Sequence, residues 1–131
     1  MSWYEKYMSI PFVEKGRDWN GCDCWGLVRL IYATELGIEL PSYLETYENT
    51  NDSKSLRDII SSERSEHWLN PSEPKEFDVI VLQMRGVPMH VGVVTKKNHM
   101  IHCAKDIDTV HEHYGTARWK HRVMGFARWG K

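Results

Sequence analysis

Apolar residues recur at three- and four-residue spacing near the start of the chain, and this pattern predicts an amphipathic α-helix over residues 24–36. Asp23 is suited to cap the beginning of this helix, and Gly37 is suited to the left-handed position that ends it. A second, shorter helix is predicted over residues 55–64, after a polar stretch at 45–55 that is typical of a loop. The first half of the chain is therefore predicted to be helical.

Beyond residue 74 the pattern changes to short runs rich in β-branched residues, which are typical of strands. Five strands are predicted, at residues 78–84, 89–95, 100–103, 109–113 and 122–129. The short spacers between them favour antiparallel hairpins over helical crossovers. Helices followed by a mostly antiparallel sheet predict an α+β domain.

Length, composition and charge narrow the class of protein. The sequence has 131 residues, of which 41% are hydrophobic and 27% charged, and this predicts one globular domain over residues 1–131. A formal net charge of -1 gives no field that would attract nucleic acid or an anionic membrane. No apolar stretch reaches the length of a signal peptide or a membrane span, so we expect neither, and no nucleic-acid partner.

Cys24 is the first candidate for chemistry. Three cysteines, an odd number, argue against a disulfide framework and favour a reducing compartment. In the first turn of a helix, the helix dipole and the unpaired backbone N–H groups favour a thiolate, and the same N–H groups can hold an oxyanion. A catalytic thiol paired with a base would stay a thiolate well below pH 8, whereas a structural thiol would not.

A nucleophilic thiol needs a base and a group that orients the base, and two histidines of the predicted strands are the candidates. His90 alternates with Gly92 along one strand, and His102 lies on the next. A two-residue loop at positions 97–98 would place the two histidines on opposite faces of the sheet. A five-residue loop at 95–99 would pair Val94 with Met100 and make the histidines neighbours on one face, about 7–8 Å apart between backbones.

These residues carry a resemblance to a known family. The run Asp23-Cys24-Trp25-Gly26-Leu27-Val28, the run His90-Val91-Gly92-Val93-Val94 and then His102 resemble the NlpC-type cell-wall cysteine peptidases, a papain-like group, and especially their phage-tail-associated branch. The resemblance implies that Cys24 is the nucleophile, His90 the general base and acid, and His102 the residue that orients His90. It also implies a papain-like fold, a peptidoglycan stem peptide as the substrate, and no metal or other cofactor.

The sequence departs from the family pattern at two positions. The serine that usually follows the nucleophile and helps to bind substrate is Trp25 here, a change that the phage-tail branch often shows. The tyrosine common twelve residues before the nucleophile is Phe12, so a hydroxyl near the active centre is absent. Arg17, Trp25 or a backbone amide would then have to supply the missing donor, and Asp23, Trp25, Phe12 and Arg17 are the candidate substrate-binding residues.

The two departures leave other functions open. One is a catalytically weak or inactive tail-tip or tail-assembly protein that uses the same fold to bind other phage tail proteins. Another is a papain-like acyltransferase or amidase that acts on a different substrate through the same nucleophile. A phage-borne protein without a signal peptide would be made in the host cytoplasm and would reach the cell wall in the virion tail or after lysis.

Three further features have alternative interpretations. Zinc binding by Cys22, Cys24, His102 and Cys103 is disfavoured by their spacing. The closeness of Cys22 to Cys24 raises the hypothesis of a reversible regulatory disulfide between them. The basic run at residues 118–122, which contains Trp119, is interpreted as a solvated or docking surface rather than as a nucleic-acid patch.

Overall fold

The computed structural model describes residues 2–40, 68–69, 71–84, 87–105 and 107–130. The predicted helix at 55–64 and the predicted loop at 45–55 lie outside the described residues. A 3₁₀ helix, Trp3–Tyr7, precedes the helix α1, Cys24–Ile31, which continues as a π-helical turn, Tyr32–Leu36. None of these helices is long and apolar enough to cross a membrane, as far as the described residues go.

The helix that carries Cys24 begins and ends where the sequence predicts. The Asp23 side chain accepts a hydrogen bond from the Gly26 amide at 2.7 Å and so caps the first turn. Gly37 ends the helix with φ 68°, the left-handed conformation that a residue without Cβ adopts without strain. The last turn widens to π geometry, and there the Tyr32 hydroxyl donates to the Phe77 carbonyl and ties the helix to the sheet region.

The strands form two sheets. Their bounds are β1 Arg17–Asp18, β2 Gly21–Cys22, β3 Trp68–Leu69, β4 Val79–Met84, β5 Val87–Lys96, β6 His99–Ala104, β7 Asp108–His113 and β8 Val123–Trp129. β1 and β2 pair with each other, and the other six form one antiparallel sheet in the order β3-β8-β4-β5-β6-β7. The five predicted strands and the α+β class are confirmed, with each predicted strand end within two residues of the observed one.

The last strand does not continue the run of hairpins. Instead of pairing with β7, β8 crosses the sheet and lies between β3 and β4, with Val79 opposite Ala127. Hairpins between consecutive strands therefore join β4 to β7 only, and the position of β8 in the sheet is set by tertiary packing.

The β5–β6 hairpin combines features of the two predicted loops. Lys96 pairs with His99 across a two-residue turn in which Asn98 has φ 63°. Thr95 is then an extra residue, a β-bulge, so Val94 pairs with Met100. The prediction of a five-residue loop at 95–99 is therefore wrong, because Lys96 and His99 within it pair with each other. The pairing of Val94 with Met100 that this loop predicted is confirmed.

The main core lies between α1 and one face of the large sheet. Leu27 and Ile31 of the helix are fully buried in one cluster with Val93 and Ile101 of β5 and β6. A second cluster covers the other face, where Ile80, Leu82, Val94 and Met100 pack under two side chains from the segment after β7, Tyr114 and Trp119. His90 of β5 and His102 of β6 lie on this second face, in contact with Trp119.

Candidate active site

The start of α1 is held by a buried acidic residue. Asp23 is fully buried, and its carboxylate accepts from the Gly26 amide, from the Lys15 amide at 3.1 Å and from the Arg17 guanidinium at 2.8 Å. Arg17 Nη1 also donates to the Gly16 carbonyl at 2.9 Å. The contacts give Asp23 and Arg17 a structural part in positioning the helix, and their binding of substrate stays a prediction.

Cys24 lies in the first turn, as predicted, but its sulfur is not poised as a thiolate. The residue is 1% exposed. Burial, followed by the neighbouring Asp23 carboxylate, raises the pKa of the Cys24 thiol, and the amides of Val91 and Trp25 only partly oppose this. Loss of hydration thus opposes the thiolate that the helix-terminus amides favour, and the ionisation of Cys24 below pH 8 stays the property that distinguishes a catalytic from a structural thiol.

His90 and His102 are brought together. His90 Nε2 lies 2.8 Å from His102 Nδ1, and the two rings meet edge to face with their centroids 5.0 Å apart. The bulge at Thr95 places both on one face, and Gly92 sits opposite His102. A Cβ at Gly92 would lie 3.0 Å from both the His102 Cβ and the Ile101 carbonyl oxygen, so the glycine permits the close approach of the strands.

A carboxylate continues the line of histidines. Glu112 of β7 lies 2.7 Å from His102 Nε2 through its Oε2 atom, and its Oε1 atom accepts from the Trp119 indole at 3.0 Å. Glu112 is not among the site residues predicted from the sequence. The signal for it is alternation, because His102 pairs with Val110 and places Glu112, two residues further on, on the same face.

Trp119 packs on both histidines rather than facing solvent. Its ring lies parallel to His90 at 6.1 Å and edge-on to His102 at 5.0 Å, and the residue is 1% exposed. The guanidinium groups of Arg118 and Arg122 lie over the same ring. The interpretation of residues 118–122 as a solvated surface is therefore wrong for Trp119, because the indole is part of the wall around the histidine pair.

The local environment sets the charges of this group. The hydrogen bond with His102 is the main cause that lowers the pKa of Glu112 to about 2, so it is a carboxylate at neutral pH. Burial, and then the His102 ring, lower the pKa of His90 to about 3, against a smaller opposing effect of Glu112. His90 is therefore an uncharged imidazole at neutral pH, and burial makes it a weaker base than a solvated histidine.

The described link between Cys24 and His90 runs through the backbone of β5. The Val91 amide, next to His90 in the chain, is hydrogen-bonded to the Cys24 sulfur. Within the described part of the chain, no hydrogen bond joins that sulfur to the His90 ring. Catalytic hydrogen bonds are often long or open before substrate binds, so this arrangement fits a resting site.

Trp25 and Phe12, the positions that depart from the family pattern, belong to the core region. Trp25 is 4% exposed and meets Trp68 edge to face at 6.1 Å. The Phe12 backbone bridges to Cys22 and donates to Asp108 at 2.9 Å, while its half-buried ring packs on the main core. Neither observation assigns them a substrate contact, which stays a prediction.

The thiol beside Cys22 belongs to Cys103. The two side chains are hydrogen-bonded neighbours, and the Cys103 thiol also donates to the Cys22 carbonyl at 3.2 Å. This arrangement favours Cys103 over Cys24 as the partner in any disulfide of Cys22. Among the residues whose placement is described, no three side chains of metal-binding type form a group that could hold an ion.

Comparison with known proteins supports the resemblance seen in the sequence. The profile of the NlpC/P60 family matches residues 9–128. Among solved structures, the chain is similar to the NlpC/p60 domain of peptidoglycan hydrolase SagA, with a TM-score of 0.60, 20% identity, and coverage of 93% of this chain and 88% of that one.

Two larger proteins contain a similar domain. An NLP/P60 family protein described as similar to lipoprotein, from Staphylococcus aureus subsp. aureus Mu50, matches with a TM-score of 0.62 and 20% identity over 95% of this chain. An NlpC/P60 family protein from Bacillus cereus ATCC 10987 matches with a TM-score of 0.67 and 19% identity, also over 95%. The aligned regions are 38% and 37% of those two proteins.

No curated protein sequence matches the chain significantly. The structural likeness identifies the fold as papain-like, with one helix packed on a mostly antiparallel sheet. Because the family profile spans nearly the whole sequence, the chain belongs to the NlpC/P60 family.

Proposed function

We propose that this protein is a cysteine peptidase that hydrolyses bonds in the stem peptide of peptidoglycan. The observation that carries the proposal is the hydrogen-bonded pair of His90 and His102, 2.8 Å apart, on strands next to the helix that begins with Cys24. Membership of the NlpC/P60 family and the likeness to a peptidoglycan hydrolase domain support the substrate class.

The reaction begins from an uncharged thiol and an uncharged imidazole. As the Cys24 sulfur attacks the peptide carbonyl carbon, its proton passes to His90. His90 then gives that proton to the leaving amine, the C–N bond breaks, and the acyl group stays on sulfur as a thioester. Water next attacks the thioester while His90 takes one of its protons, and the released sulfur regains a proton from His90 as the acid product leaves.

Backbone N–H groups are the donors available to the developing oxyanion. The amides of Cys24 and Trp25 stand at the positive end of the α1 dipole, beside the sulfur. The next amide along, that of Gly26, is already bonded to Asp23. The cap therefore orients the first turn, and stabilisation of the oxyanion falls to the Cys24 amide and to the Trp25 amide, which is hydrogen-bonded to the Cys24 sulfur before substrate binds.

The test is digestion of purified peptidoglycan and of synthetic stem peptides, with the products identified by mass spectrometry. We expect hydrolysis by the wild type and a loss of about 10⁴-fold or more in Cys24→Ala, because an alanine side chain cannot form the thioester. His90→Gln is expected to lose about 10²–10⁴-fold, the usual contribution of a general base. His121→Gln, which changes an exposed histidine, is the matched control and should hydrolyse at the wild-type rate.

Equal hydrolysis by wild type and Cys24→Ala would contradict the proposal. Transfer of the acyl group to an added amine instead of to water would indicate the acyltransferase alternative, and release of ammonia would indicate an amidase. These outcomes are distinguished by the masses of the products.

A second candidate, a non-catalytic interaction module, is favoured by one observation. The Cys24 residue is 1% exposed, and no bond to the His90 ring is present among the described contacts. A module predicts no hydrolysis of any stem peptide and no alkylation of Cys24 until the protein is unfolded. A peptidase predicts alkylation of native Cys24 at a rate that falls when His90 is replaced.

Phage association forms the last part of the proposal. The tryptophan at position 25 supports it, because the phage-tail branch of the family often has this change. The protein would be made in the host cytoplasm and carried in the virion tail, where it would contact other tail proteins. Mass spectrometry of purified virions should then detect it at a stoichiometry similar to that of tail-tip proteins, and its absence there would contradict this part.

A further inference from the structure

The strongest unassigned feature of the site is the carboxylate at its far end. We propose that Glu112 is a positioning residue that acts through His102 to hold His90 in the tautomer whose Nδ1 atom is free to accept a proton. The proposal rests on the proposed function, for which it names a further residue. Its support is a continuous line of contacts, 2.8 Å from His90 to His102 and 2.7 Å from His102 to Glu112.

The hydrogen bonds give one order for the protons when both histidine rings are uncharged. A carboxylate only accepts, so the Nε2 atom of His102 carries a proton and donates to Glu112. We take His102 as uncharged, with its lone pair on Nδ1, so that His90 Nε2 carries a proton and donates to it. His90 is also uncharged at neutral pH, and its lone pair is therefore on Nδ1. Nδ1 is the ring atom left to accept the proton of the Cys24 thiol.

Trp119 fixes the orientation of the carboxylate. Its indole N–H only donates, and it occupies Oε1 of Glu112, so Oε2 is directed to His102. The indole also packs on both histidine rings, and Arg118, which lies over the indole, is the cation that helps to keep Glu112 ionised. Among the described residues, the titratable groups hydrogen-bonded to the His102 ring nitrogens are His90 and Glu112.

Replacing Glu112 with glutamine should reverse this order. The Trp119 N–H would donate to the amide oxygen of the glutamine, and the NH₂ group of the glutamine would then face His102 Nε2. His102 would then have to accept at Nε2 and carry its proton on Nδ1, and His90 in turn would accept at Nε2 and carry its proton on Nδ1. An imidazole in that tautomer cannot take the thiol proton, as when the aspartate of a serine protease triad is changed to asparagine.

The experiment compares wild type, Glu112→Gln, Glu112→Asp, Trp119→Phe and the double variant Glu112→Gln/Trp119→Phe. The tautomers of His90 and His102 are observed directly by long-range ¹H–¹⁵N NMR at neutral pH, and stem-peptide hydrolysis is measured in parallel. We expect protonated Nε2 atoms on both rings in wild type and protonated Nδ1 atoms in Glu112→Gln. In Glu112→Gln kcat should fall on the order of 10²–10⁴-fold with KM little changed.

The other variants separate positioning from structure. Glu112→Asp keeps the charge and should keep the wild-type tautomers. Removing the indole donor in the double variant lets the glutamine amide rotate its oxygen to His102, so the double variant should regain part of the kcat lost in Glu112→Gln. Loss of a structural contact alone would make the double variant worse than either single variant, and that result would overturn the proposal.

Failure of this proposal and failure of the proposed function give different results. If wild type hydrolyses no stem peptide but Glu112→Gln changes the tautomers, the positioning role stands and the proposed function fails. If wild type hydrolyses stem peptides but the tautomers and kcat of Glu112→Gln equal those of wild type, the positioning role is overturned. Thermal unfolding of each variant identifies any that fails to fold. If Glu112→Gln does not fold, the proposal is decided by the histidine tautomers of wild type and of Glu112→Asp, which should both have protonated Nε2 atoms.

Discussion

Gly26→Ala is expected to destabilise the protein by about 3 kcal/mol, although alanine is ordinarily the better helix former by about 1 kcal/mol. A Cβ at this position would lie 2.0 Å from the Gly16 carbonyl oxygen and 3.0 Å from the Cys22 Cβ. A backbone oxygen cannot move aside as the end of a flexible side chain can. The first turn of α1 would therefore have to shift away from the β1–β2 region, and Cys24 with it.

Denaturant unfolding monitored by tryptophan fluorescence measures this effect, and Gly125→Ala is the matched control. A Cβ at Gly125 of β8 meets no atom within 4 Å, so that variant should differ from wild type by less than about 1 kcal/mol. Equal unfolding midpoints for the two variants would contradict the close packing at the start of α1. A lower rate of hydrolysis by Gly26→Ala, measured under conditions in which this variant is still fully folded, would show that the shift displaces the nucleophile.

The second large effect is a loss of stability in mild acid. The pKa of His90 is lowered to about 3 from an ordinary value of 6.5, so the unfolded chain binds a proton between these pH values that the folded protein does not. Stability must then rise with pH across this window and fall as the pH drops below about 6.5. The slope from one such histidine approaches about 1.4 kcal/mol per pH unit.

Unfolding free energies of wild type and His90→Gln between pH 5 and pH 7.5 test this effect. The pKa of Glu112 is lowered from 4.5 to about 2, so this residue also makes stability rise with pH, but between about pH 2 and pH 4.5. The measured range lies above those values. The variant lacks the buried imidazole, so its stability should depend less on pH than that of wild type. Parallel curves for the two proteins would mean that His90 does not have to lose its proton on folding.

The start of α1 was predictable because its signals are local. Asp23 as a cap and Gly37 as a left-handed end depend on the backbone a few residues away, and both are observed. The place of β8 between β3 and β4 depends on packing across the whole sheet, and nothing in the sequence of β8 indicates it. Local patterns therefore predicted α1 and the five longer strands, but neither the short strands β1 to β3 nor the order of the sheet.

The register of the histidine strands was harder to predict because a β-bulge has a weak sequence signature. Thr95 adds one residue to β5 and changes which residues share a face, and neither loop length considered alone describes this. Glu112 was missed for a related reason, since its position beside His102 depends on the register of β6 against β7. The raised pKa of Cys24 reflects burial, which spacing along the sequence does not reveal.

The central claim is that Cys24 forms a thioester with a stem peptide, and trapping that intermediate tests it most directly. Enzyme and substrate are mixed under single-turnover conditions, quenched in acid at early times, and examined by intact-mass and peptide-level mass spectrometry. We predict an adduct with the mass of the acyl half of the substrate, located on Cys24 and absent from Cys24→Ala. An adduct on Cys22 or Cys103, or hydrolysis by Cys24→Ala at the wild-type rate, would contradict the account.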